Sequence, residues 1–337
     1  MIARVRSFVI VALLAAFVVV SLSAARLTRA QSDQLEANKA TVALFYGALS
    51  DASRVAELET LMAEDFVVHM PEGDAGWDDM KATLALFATA LSDMTFTPLI
   101  MLAEGNQVAA RYEFHATFVE ELPNWDGTVI PPTGEPVQVF ANALFTFTDD
   151  GLLQSYGEIF DNLSFMTQLG VFPTDPAMGL PAEPVDPAMW TIAETTPEFR
   201  ADLVERLSAA NAAAYNEGDL DALNTVYAPD FVAHPYMSDL AATKAEIEML
   251  RSAVPDLRAE LVTIVSEGNW LAYHWTATGT FTNDIEYMGM PLTATGAPIA
   301  YEGIAFAVAN ADGLITAEWN EADNLAIATQ FGMFAME

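Results

Sequence analysis

The sequence predicts an α+β protein built from two copies of one small domain. Three observations carry that expectation. Five blocks of sequence recur in the same order at an offset of 162 to 165 residues. Each half passes from helical to strand-like patterning. A proline-rich stretch separates the halves. The first block, Asp65-Phe66-Val67-Val68-His69-Met70-Pro71, returns as Asp230-Phe231-Val232-Ala233-His234-Pro235. Glu104-Gly105-Asn106 returns as Glu267-Gly268-Asn269, and Thr133-Gly134-Glu135-Pro136-Val137 as Thr295-Gly296-Ala297-Pro298-Ile299. Asp150-Gly151-Leu152 returns as Asp312-Gly313-Leu314. Asp161-Asn162-Leu163 with Gln168-Leu169-Gly170 returns as Asp323-Asn324-Leu325 with Gln330-Phe331-Gly332. A unit this long is a duplicated domain rather than a solenoid repeat.

The N-terminus carries a targeting pattern. Arg4 and Arg6 precede an uncharged run from Phe8 to Ala25, with small residues at Ser23-Ala24-Ala25 and again at Thr28-Arg29-Ala30. Residues 1–30 therefore read as a cleaved signal peptide or an uncleaved anchor. Either places the rest outside the cytoplasm, secreted or periplasmic, with membrane contact only through that segment. Domain 1 is expected over residues 35–171, a linker over 172–199 and domain 2 over 200–334. The linker holds Pro173, Pro176, Pro181, Pro184, Pro187 and Pro197, which exclude an internal helix or a central strand. Its Met178, Met189 and Trp190 suggest that it lies against the domains.

Within the second copy, Leu203, Leu207, Ala210 and Ala214 share one helical face. Asn216-Glu217-Gly218-Asp219 breaks that helix. Helical character returns over 220–227 and 237–254, and strand character over 257–265. After the turn at Glu267-Gly268-Asn269, Leu271, Tyr273, Trp275 and Ala277 alternate with Ala272, His274, Thr276 and Thr278. Further strands are expected near 299–309 and 314–322, joined by a turn at Asn310-Ala311-Asp312-Gly313.

Of 337 residues, 53% are hydrophobic and 18% charged, enough apolar material for two cores. Acidic residues outnumber basic ones 47 to 13, a net charge of −34. Such a surface repels phosphates, so nucleic acid is excluded as a partner. The chain has no cysteine, which removes disulfides, thiol catalysis and iron–sulfur clusters. The four histidines fall two per copy without metal-ligand spacing, and no metal or cofactor is expected.

Each half resembles a SnoaL-like polyketide cyclase domain of the NTF2-like superfamily. The Asp65–Pro71 and Asp230–Pro235 segments, the Glu-Gly-Asn and Thr-Gly-x-Pro turns, the Asp-Gly-Leu turns and the closing Asp-Asn-Leu motif carry the likeness. The resemblance implies two cone-shaped domains, each with about three helices on a curved antiparallel sheet around an apolar pocket. It implies a small apolar or aromatic ligand and cofactor-free acid/base chemistry on a carbonyl compound, as cyclase, isomerase or lyase. The alternative is a non-catalytic extracytoplasmic binder of hydrophobic ligands. The duplication suggests an intrachain pseudo-dimer packed through the sheets.

By motif position the acid/base residues would be Asp161 and Asp323, joined by His69 and His234. A carboxyl in an apolar pocket is raised toward the working range of a general acid or base. Each Asp also stands where an N-cap would, with Gly170 or Gly332 closing a short helix. Each His could equally close a strand edge. Candidate ligand contacts are Arg111, His274, His115, Glu158, Tyr112 and Trp275. Arg111, Glu113 and His115 share one strand face, which is either the pocket wall or the outer face of the sheet. Copy two has His274 where copy one keeps Arg111, so the two pockets are expected to have diverged, to the point where one alone stays active.

Overall fold

The computed structural model describes residues 31–70, 73–124, 127–172, 187–287 and 290–333. Residues 1–30, expected to be a signal peptide or anchor, and most of the linker, including its first Asp-Pro-Ala-Met run, lie outside the described residues. In domain 1, helix α1 (31–49) and a short 3-10 helix over Ala52–Thr60 precede strand β1 (Met62–His69). Helix α2 (Trp77–Ala90) follows, then β2 (Leu91–Glu104) and β3 (Gln107–Phe118). A small ribbon of β4 (Leu122–Pro123) and β5 (Val129–Ile130) leads into β6 (Pro136–Phe147), β7 (Leu153–Phe160) and α3 (Asn162–Gln168).

Domain 2 repeats this order. Helix α4 (Pro197–Asn211) runs into a π-helical turn over Ala212–Glu217. Strand β8 (Tyr227–His234), helix α5 (Leu240–Ala253), β9 (Arg258–Glu267) and β10 (Trp270–Thr280) follow. The ribbon β11 (Ile285–Tyr287) and β12 (Met290–Leu292), then β13 (Pro298–Ala309), β14 (Ile315–Ala322) and α6 (Asn324–Gln330), complete it. The sheets have matching five-strand orders, β1-β7-β6-β3-β2 and β8-β14-β13-β10-β9. The first pair of each is parallel and the other pairs are antiparallel.

One local feature departs from the sequence reading and another follows it. Pro197, expected in the linker, begins α4, where its missing N–H costs nothing; Thr196 caps that helix by accepting from Phe199 N–H at 3.2 Å. The breaker after the helix is real, and Gly218 supplies the turn with a φ of 82°.

Each sheet has two buried faces. On the inner face, Val42, Phe45, Tyr46 and Leu49 of α1 pack against Val108, Ala110, Tyr112, Phe145 and Tyr156. Leu203, Leu207, Ala210 and Ala214 do the same over Leu271, Tyr273, Ala305 and Ile315. The outer faces pack on each other, with Ile100, Leu102, Ala109 and Ile159 of domain 1 against Val265, Trp270, Ala272, Ile304, Phe306 and Trp319. The halves thus form a pseudo-dimer through their sheets. Trp190, at the end of the linker, stacks into this layer with ring centroids 4.7 Å from Trp319 and 5.7 Å from Trp270.

Candidate functional site

Strand alternation decides which side chains enter each cone. Along β7, Tyr156, Glu158 and Phe160 point inward, while Ile159 faces the other domain. The Glu158 carboxylate accepts from the hydroxyls of Tyr112 and Tyr156, both at Oε2. No hydrogen bond reaches its Oε1 among the described residues. Tyr112 and Tyr156 are almost wholly buried, and Glu158 keeps a little exposed surface. Tyr46 on α1, 0% exposed, lies with its ring centroid 4.6 Å from that of Tyr112. Its hydroxyl has no hydrogen-bond partner among the described residues.

Burial raises the Glu158 carboxyl above its ordinary range, against the opposing pull of its two tyrosine donors. Burial first, and the Glu158 charge second, push the hydroxyls of Tyr46, Tyr112 and Tyr156 well above theirs. The tyrosines are therefore held as neutral donors around the one carboxyl of the cluster.

Domain 2 holds a related cluster at a different height. Glu318 accepts from Tyr227 at 3.0 Å and from Tyr273 at 2.5 Å, again both at Oε2. Burial raises this carboxyl too. By the repeat, however, Glu158 corresponds to Asn320 and Tyr112 to Trp275, and that pair is also bonded, Trp275 Nε1–H donating to Asn320 Oδ1 at 2.8 Å.

The other predicted residues lie elsewhere. Asp161 Oδ1 accepts from the N–H groups of Leu163 and Ser164 at 3.0 and 3.2 Å, and Asp323 Oδ1 from those of Leu325 and Ala326, both at 3.0 Å. Both are helix N-caps. They also clasp the domains: Asn162 Nδ2 donates to Asp323 Oδ2 at 2.8 Å, and Asn324 donates to Asp161. Burial raises the Asp161 carboxyl against these hydrogen bonds.

Arg111 is not in a pocket. It is 1% exposed in the interdomain layer, where Nη1 donates to Asn142 Oδ1 at 2.9 Å and to Glu321 Oε1 at 2.8 Å. His274 occupies the matching outer face and bonds Glu302 at 2.7 Å. His115 is on the outer face as well, exposed, bonding Glu113 at 2.8 Å. His69 ends β1 on the surface with its Nδ1 2.8 Å from Asp74. His234 ends β8 and stacks on Trp319 at 4.7 Å. The physical reason is common to these residues: each has the outward parity of its strand or stands at its end. Of the predicted set, Glu158, Tyr112 and Trp275 share the cone interiors. Tyr46, Tyr156, Tyr227, Tyr273, Glu318 and Asn320 were missed, although the inward parity of Tyr156, Glu158 and Phe160 was readable.

A separate surface cleft of about 420 Å³ is lined by Glu59, Glu64, Trp77, Asp78 and Asp79. Lys81 bonds both Glu59 and Asp78 at 2.8 Å there, and neither buried carboxyl lines it. Among the described residues no group of three His, Asp or Glu could hold a metal ion.

Fold and interior together define a tandem of α+β cones, each with a tyrosine-bound carboxyl. The SnoaL-like polyketide cyclase family model matches residues 40–169 and 205–331, one match per domain. The chain belongs to that family. Among solved structures, TsrD from Streptomyces laurentii is 27% identical, covering 42% of this chain and 100% of that one, with a TM-score of 0.36. IdmH from Streptomyces antibioticus is 27% identical over 40% of this chain and 98% of that one, with a TM-score of 0.32. A SnoaL-like polyketide cyclase from Agrobacterium tumefaciens is 21% identical over 39% and 98%, with a TM-score of 0.32. No curated protein matches.

Proposed function

We propose that this protein binds a small, largely apolar carbonyl compound in the cone of domain 1 and moves a proton on it without a cofactor. One observation carries the reading: a buried carboxyl with one oxygen held by two hydroxyls and the other open, beside the unpartnered hydroxyl of buried Tyr46. Tyrosine donors at Oε2 orient the group and leave Oε1 as the acceptor. Oε1 takes a proton from the carbon next to the ligand carbonyl, and the electron pair moves onto the carbonyl oxygen. The Tyr46 hydroxyl donates to that oxygen as charge develops there. The carboxyl then returns the proton to another atom of the same ligand, so nothing is consumed. Ring closure and isomerisation both fit this balance. Asp161 and Asp323 serve the fold rather than the proton transfer.

A second reading is a carrier without turnover. The two motif aspartates favour it, since both are spent on helix amides. Native mass spectrometry of the purified protein, followed by incubation of the released ligand with Glu158→Gln, separates the two. An enzyme converts the ligand and loses conversion by a hundredfold or so in the variant, as expected of a general acid/base. A carrier returns it unchanged with either protein. The proposal includes export, carried by the Arg4–Ala30 pattern. N-terminal sequencing of protein recovered outside the cytoplasm tests it, and recovery only inside the cell would refute it.

A further inference from the structure

Domain 2 does not simply repeat the first site. Glu318 occupies the position of Tyr156, two residues before the one that carries Glu158 in domain 1. At the rise of an extended strand this moves the carboxyl about 6.6 Å along the strand. Its donors change accordingly, to Tyr227 of β8 and Tyr273 of β10, where domain 1 has Met62 and Ala110. The vacated position holds Asn320. Its Oδ1 is taken by Trp275, and no hydrogen bond uses its Nδ2 among the described residues. The indole fits because β13 carries Gly303 opposite it: a Cβ there would lie 2.3 Å from Trp275 Cζ2. Glu318 Oε1 is likewise open, and so is the hydroxyl of Tyr215 at the end of the first helix of this domain.

We infer that the cone of domain 2 is a second, non-equivalent ligand site that recognises an aromatic or enolic ring bearing a hydroxyl and a carbonyl on opposite sides. Glu318 Oε1 accepts from the hydroxyl, and Asn320 Nδ2 donates to the carbonyl oxygen. The two groups stand two residues apart on one strand face, about 6.6 Å, the span of a single ring with its para substituents. Domain 1 has no amide at either position and reads a different pattern. The inference rests on the reading that the cones take ligands, but it needs no chemistry in domain 1.

The probe is para-hydroxyacetophenone, with acetophenone as the analogue lacking the hydroxyl. The reporter is the Trp275 indole N–H resonance of the full-length protein, assigned by its loss in Trp275→Phe. The hydroxyketone is expected to shift that resonance saturably and to bind roughly tenfold tighter than acetophenone, the worth of one hydrogen bond to a charged group. Glu318→Gln should erase most of that difference and leave acetophenone binding as it was. If Glu318→Gln fails to fold, Asn320→Leu decides the matter by weakening both ketones about equally. Glu158→Gln should leave the titration unchanged, whatever it does to turnover, so the two readings fail independently. An unmoved Trp275 resonance at saturating ketone, or wild-type preference in Glu318→Gln, overturns the inference. So does equal binding of both ketones by Asn320→Leu and the wild-type protein.

Discussion

Glu158 and Glu318 place a carboxyl among aromatic rings, and that has a consequence for stability. Burial raises both groups above the ordinary carboxylate range, so the folded state holds their protons more tightly than the unfolded chain does. The resulting stabilisation is complete below the unfolded value of about 4.3 and is lost as pH rises through the folded value. A glutamine is neutral throughout. The melting temperature of Glu158→Gln minus that of wild type should therefore increase from about pH 4 to about pH 8. A difference that is flat or falls would mean that the carboxylate is better solvated inside the cone than its surroundings indicate. Asp161 illustrates the opposite use of a carboxyl. Asp161→Ala removes a cap and the acceptor of Asn324, and should cost about 1–2 kcal/mol in urea denaturation. Asp161→Asn should cost less, because asparagine caps nearly as well. Loss of turnover in Asp161→Asn without loss of stability would return this residue to the chemistry.

At the level of elements, strand parity separates what the sequence disclosed from what it hid. Most of the order of helices and strands, the turns and the duplication follow from local patterning, and the structure carries them; Tyr227, expected at the end of a helix, instead opens β8, and the β11–β12 ribbon was not foreseen. The inner faces of α4 and β10 were also readable, since Leu203, Leu207, Leu271 and Tyr273 keep their period and are buried together. The motif aspartates were placed by motif position, which says nothing of direction. Asp161 shares the parity of Ile159 and Asp323 that of Glu321, which turns both toward the other domain. Glu318 was concealed for another reason: its copy-one equivalent is Tyr156, so aligning the halves hides an acid that has moved along its strand. The glutamates of the Glu-Gly-Asn turns were likewise fold signals with an unseen task. Glu104 accepts from Ser266 N–H and Glu267 from Ala103 N–H, both at 2.7 Å, pinning strand β2 to β9. One element-level prediction tests the packing of β10 on β13. Gly303→Ala would bring a methyl group to 2.3 Å from Trp275 and 2.7 Å from Glu321 O. It should cost roughly 1–3 kcal/mol and shift the Trp275 indole N–H resonance as the bond to Asn320 loosens.

The whole molecule is a pseudo-dimer whose halves have ceased to be interchangeable. Arg111 pairs with Glu321 across the layer, but by the repeat their counterparts are His274 and Ile159, which cannot form the mirror-image pair. A homodimer of domain 1 would set two buried guanidiniums against isoleucines. One of domain 2 would bury two carboxylates with histidines as partners. Covalent linkage keeps the unlike halves at equal concentration, which frees each cone to change separately. The pair adds little over an apolar contact of the same volume, but removing one member leaves a desolvated charge. Arg111→Met should therefore cost about 3–5 kcal/mol in chemical denaturation, far more than an exposed ion pair would. Arg111→Met combined with Glu321→Leu should recover most of that loss, because two apolar side chains fit a layer already formed by Ile159, Ile304 and Trp319. Failure of the double variant to recover would move the weight onto Asn142, whose Nδ2 donates across the layer to the carbonyls of Ile304 and Trp319 at 2.6 and 3.1 Å and whose Oδ1 loses Arg111 in either variant. Asn142→Leu, added to the double variant, would then identify the polar network rather than the charge pair as the lock between the domains.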